Sequence, residues 1–71
     1  MNYAVQQRVR MIDFLLAEYG YVNRSSIMNF FGIGPATATR DFKEYKRLRP
    51  SNMIYDENKK AYYKTQEFKR I

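Results

Sequence analysis

The chain has 71 residues, with 13 Lys plus Arg against 7 Asp plus Glu, no His, no Cys and no Trp, which gives a formal net charge of +6. A chain of this size buries only about 60% of the surface it exposes when unfolded, so one domain spanning residues 1–71 is the ceiling. Lacking Cys and His, it has neither a disulfide staple nor the commonest metal ligands and proton shuttle, and its stability must come from packed apolar side chains, which 45% of the residues supply.

From Tyr3 to Tyr19, apolar residues recur at Val5, Val9, Ile12, Leu16 and Tyr19, with Leu15 widening the stripe. That spacing predicts an amphipathic helix, stopped by Gly20 just past its last periodic residue. Tyr21-Val22 is long enough only for a bridge of extended chain, and Asn23 offers a side-chain oxygen to cap a second helix. This second helix is expected over 24–31, with Ile27, Phe30 and Phe31 facing inward; at two turns it depends on packing. Gly32-Ile33-Gly34-Pro35 is the clearest punctuation, since Gly32 permits a left-handed turn and Pro35 suits the first position of a new helix. The third helix runs over 35–48 and is closed by Arg49-Pro50, because the residue before a proline is pushed out of the helical region. Two short runs, 52–55 and 61–64, flank the polar stretch Asp56-Glu57-Asn58-Lys59-Lys60 and read as a β-hairpin. Residues 65–71 carry no strong pattern.

Three helices followed by a hairpin, with a glycine turn between helices two and three, is an α+β layout of the winged helix-turn-helix type. At roughly 100° per residue, Ala38, Phe42 and Tyr45 share the inner side of the third helix, whereas Ala36, Arg40, Lys43 and Arg47 share the outer side. Thr37 and Thr39 flank that outer stripe with hydroxyls suited to phosphates or base edges. An Arg reads guanine O6 and N7 with two bonds at once, so Arg40 is the expected base reader. Residues 1–23 carry no net charge, 24–35 carry +1, 36–50 carry +3 and 51–71 carry +2, so the excess peaks on this helix. Lys59 and Lys60 fall at the hairpin tip, where a wing over 55–62 meets DNA backbone or minor groove.

Each of these features has a plainer reading. Charged outer faces are commonly just solvated, and Lys at hairpin tips discourages edge association. Asp41 and Glu44 dilute the stripe, and Asp41, near the core edge, is placed to orient a basic side chain. Tyr55, Tyr62 and Tyr63 are of a type that stacks on unpaired bases, but in a core without Trp they are the expected filler between hairpin and helices. Catalysis is not expected: acids are scattered, and Gly-Ile-Gly-Pro lacks the strand before it and the Lys-Ser/Thr after it that a phosphate loop needs. The remaining alternative is a winged helix that docks on an acidic protein partner.

The run from Gly20-Tyr21-Val22-Asn23-Arg24 through Phe31-Gly32-Ile33-Gly34-Pro35-Ala36-Thr37-Ala38-Thr39-Arg40-Asp41-Phe42, with a wing reading MIYDENKKAYYKT and then Phe68, resembles a DeoR-type winged helix. It is most similar to the variant at the N-terminus of WYL-domain transcriptional repressors, including those controlling phage-defence islands. The resemblance implies a bacterial or phage repressor, either a stand-alone small regulator or an excised domain of a longer one, that binds double-stranded DNA in the cytoplasm through Thr37, Thr39 and Arg40, with Tyr55 and Tyr62 structural. WYL repressors continue into a ligand-sensing domain and a dimerising part, whereas this chain ends at Ile71, so no small-molecule effector or cofactor is expected within it. A homodimer on a palindromic site is expected, because one such domain contacts only a few base pairs. The exposed side of the first helix and the tail with Phe68 and Ile71 are the candidate dimer surfaces.

Overall fold

A computed structural model describes residues 1–71. The elements follow in the order α1 (Tyr3–Tyr19), β1 (Tyr21–Val22), α2 (Arg24–Phe31), α3 (Pro35–Leu48), β2 (Met53–Asp56) and β3 (Ala61–Lys64). All three helix boundaries match the reading of caps and breakers. The Asn2 side chain accepts from the Val5 amide at 2.8 Å to open α1, and Asn23 accepts from the Ser26 amide at 2.9 Å to open α2. Gly20 and Gly32 close these helices in the left-handed region, at φ 84° and 67°, where a side chain would be strained.

Val9, Ile12 and Leu16 of α1 pack with Ile27 of α2, Phe42 and Tyr45 of α3, and Val22 and Met53 of the sheet in one apolar cluster. Ala38 is buried too, so the inner face assigned to α3 holds. Two expected core residues are not in it. Tyr19, the last residue of α1, is 67% exposed, and Phe30 is 69% exposed. A two-turn helix has one narrow stripe covered by α1 and α3; Ile27 fills it, Phe31 lies at its edge, and Phe30 turns out to meet Phe31 edge-on at 5.0 Å.

The hairpin forms with a turn at 57–60, but β2 starts one residue later than expected, at Met53, because Asn52 is buried in a side-chain network. Tyr21-Val22 does more than bridge. It pairs antiparallel with β3, giving a three-stranded sheet in the order β1-β3-β2. The register aligns Tyr21, Tyr63 and Ile54 in one row and Val22, Tyr62 and Tyr55 in the next. The second row faces the helices, and Tyr62 stacks on Phe42 with ring centres 4.5 Å apart, which fixes the wing against α3.

Residues 65–71 also fold back. Phe68 packs on the core, and the buried Asn52 accepts from the Lys69 amide at 2.9 Å while donating to the Lys69 carbonyl at 2.7 Å. Asn52 also donates to the Tyr45 hydroxyl, which donates to Asp13 of α1. Asp13, fully buried, is closed off by the Arg70 guanidinium and the Ile71 amide. No buried side-chain polar atom is left without a partner. No helix is long and apolar enough to cross a membrane.

Candidate nucleic-acid interface

Gly34 and Pro35 start α3 on the outside of the molecule, and burial of Ala38, Phe42 and Tyr45 turns the opposite side to solvent. Ala36, Thr39, Arg40, Lys43 and Arg47 are all exposed there, and Thr37 is half-buried beside them. These six sequence-nominated residues therefore lie on one projecting helix. The last two, Lys59 and Lys60, sit in the turn of the wing, where the Asp56 carboxylate accepts from the Asn58 and Lys59 amides at 2.9 and 3.1 Å. The Lys59 ammonium rests 5.4 Å from the centre of the Tyr63 ring. Lys60 adopts φ 55°, a left-handed conformation that ordinarily favours Gly or Asn.

The two flanks of α3 differ in charge. On the side toward α1 is a groove of about 480 Å³ in which two of the three arginines are neutralised by neighbours. Arg8 binds Asp41 at 2.6 Å, with both side chains largely buried, so Asp41 does orient a basic side chain, one from α1. Arg47 binds Glu44 through two bonds of 3.0 and 2.6 Å. That hydrogen bonding holds the Glu44 carboxyl below the usual range and raises the Arg47 guanidinium. Arg40 lines this groove without an ion-pair partner, and Lys43 has none either.

On the side toward the wing lies a cleft of about 550 Å³ that brings Thr39 together with Lys59, Lys60, Tyr55 and Tyr62. Its third cation, Arg24, comes from the first position of α2 and donates to the Thr39 hydroxyl at 3.0 Å. Burial pushes the Tyr62 phenol up, helped by Tyr55 and opposed by the nearby Arg24 charge. Arg24 lies outside the cationic stripe that the helix wheel of α3 picks out. A signal was present: a cation in the first turn of a helix opposes the helix dipole and invites a search for some other partner.

Three helices, a wing that closes onto them, and a solvent-facing cationic third helix define a winged helix-turn-helix domain. The chain belongs to the family of BrxR transcriptional regulator winged helix-turn-helix domains, whose family model matches residues 4–71. It is 39% identical over 66 residues to the DNA-binding transcriptional repressor CapW of Pseudomonas aeruginosa, an overlap covering 93% of this chain and 22% of that protein. Its identity to the repressor of the same name from Escherichia coli (strain KTE188) is 38% over 66 residues, again 93% of this chain and 22% of the relative. The relative from Stenotrophomonas maltophilia is 35% identical over 71 residues, 100% of this chain and 24% of that protein. The chain thus spans less than a quarter of the length of these relatives.

Proposed function

We propose that this chain is the double-stranded-DNA-binding module of a transcriptional repressor, with α3 in the major groove and the wing on the flanking backbone. The observation that carries this reading is the outer face of α3, where Arg40 and Lys43 project from a helix whose opposite face is buried, with neither engaged in an ion pair. An α-helix fits the major groove of B-DNA, and an unpaired Arg on its exposed face has all its donors available for a guanine edge. The family match and the printed names of the relatives support the same role. Thr37 and Ala36 flank the base reader, Lys43, Lys59 and Lys60 supply phosphate contacts, Arg47 joins them by exchanging its Glu44 partner for a phosphate, and two copies sit symmetrically on a palindromic site. A non-enzymatic role in the bacterial cytoplasm follows.

Titration against random duplex DNA over a salt series tests this. The log–log slope should correspond to about four to six phosphates per monomer, and a flat response would refute DNA binding. After selection of a preferred site from a random pool, Arg40→Ala should cost about 1–3 kcal/mol on that site and relax its base preference. Equal losses on selected and random DNA would remove Arg40 from the base-reading role. A palindromic selected site, with sedimentation of the complex, would report the dimer.

A further inference from the structure

Eight residues line the cleft between the start of α2, α3 and the wing, and none of them is acidic. Asp56, where the wing turn begins, is occupied in capping that turn. Arg24, Lys59 and Lys60 supply three positive charges to the cleft, while Ser25 at the start of α2 and the tyrosines of the wing strands add hydroxyls. The groove on the other flank of α3 differs, since two of its three arginines are tied to carboxylates. The two sides of the recognition helix therefore do not offer the same reception to a polyanion.

We propose that this cleft is a phosphodiester site for one strand of the duplex backbone, with Arg24 as its principal cation and Thr39 as the positioning residue that holds Arg24 in place. The inference rests on the DNA-binding reading above and deepens it by assigning the strand that passes between α2 and the wing. It also changes what Thr39 does. Its hydroxyl accepts from Arg24 at 3.0 Å, so its effect on DNA passes through the guanidinium, and it is removed from the set of base readers. An Arg is suited to this task because its planar fork presents two donors to a phosphate while a third stays on Thr39. Both residues are exposed, so changing them leaves the core intact.

The test uses the 71-residue chain and duplexes of roughly 20 bp, one of mixed sequence and one carrying the selected site, each titrated over a salt series. Arg24→Gln should lower the log–log slope by about one on both duplexes and weaken both by the same factor. Thr39→Val should reproduce that pattern in reduced form, Thr39→Ser should restore the wild-type slope, and the double variant should lose little more than Arg24→Gln alone. An unchanged slope in Arg24→Gln would overturn the site. A Thr39→Val variant that keeps the slope but shifts base preference would overturn the positioning role. Wild-type protein that binds neither duplex would overturn the DNA-binding reading itself, an outcome distinct from wild-type binding that Arg24→Gln leaves untouched. Thermal melts of each variant, expected to match wild type, separate lost contacts from lost fold.

Discussion

Tyr45→Phe removes one oxygen from the centre of the domain. The ring stays, so no cavity opens, but the hydroxyl that donates to Asp13 at 2.7 Å and accepts from Asn52 at 2.8 Å is gone. Asn52 keeps its bonds to the Lys69 backbone, and Asp13 keeps Arg70 and the Ile71 amide. What is lost is chiefly a hydrogen bond to a buried charged carboxylate, worth about 2 kcal/mol. At about 2.1 cal/mol/K per residue, the unfolding entropy of a chain this size converts that loss into a fall in Tm of roughly 13 °C. Urea unfolding followed by circular dichroism reads the difference directly, with the slope against denaturant unchanged. A loss below about 0.5 kcal/mol would show that solvent satisfies Asp13 and Asn52 as well as the phenol does, and the network would then be no source of stability.

The same residue sets an alkaline limit. Burial raises the Tyr45 phenol well above the ordinary tyrosine value near 10, so the unfolded chain releases that proton first. Stability should therefore hold below pH 10 and fall as pH rises beyond it, and the fall should be shallower in Tyr45→Phe, as pH-dependent melts would report; equal slopes would refute the assignment. Lys60→Gly should move two readouts in opposite directions. Relief of the left-handed lysine, less the added freedom of glycine in the unfolded chain, stabilises by up to about 1 kcal/mol, while the lost charge weakens binding to every duplex. Ile27→Ala should cost about 2–5 kcal/mol and Phe30→Ala less than about 1, since only Ile27 is enclosed; comparable losses in chemical denaturation would contradict the inner face described for α2.

What was legible in the sequence was whatever local chemistry punctuates. Asn23, Gly20, Gly32, Pro35 and the Arg49-Pro50 pair each act within a turn of their own position, and the helix ends fall where they point. The outer stripe of α3 was legible for the same reason, since one helix wheel determines it. Contacts between distant residues were not legible. Asn52 reads as the start of a strand, yet its side chain holds the tail, and Arg70 meets Asp13 across 57 positions. Asp13 did carry a trace, an acid within the buried stripe of α1, but its partners sit on two other segments, α3 and the C-terminal tail. Phe30 was misplaced because two turns of helix do not reveal which side the neighbours cover. Arg24 escaped because its partner, Thr39, belongs to another helix.

The pairing of β1 with β3 has a kinetic consequence. Joining Tyr21 to Tyr63 closes a loop of roughly 40 residues, somewhat longer than the 33 positions that separate Arg8 of α1 from Asp41 of α3, at an entropic cost of about 3 kcal/mol beyond the constant term. The pairing of β1 with β3 should therefore be among the last contacts to form, because steps that join residues far apart in sequence are slow. In the native state the order reverses. The amides bridging β1 and β3 should exchange with solvent through a partial opening that leaves α1, α2 and α3 packed, and occupancy of the cleft beneath the wing should slow that exchange before it affects any other.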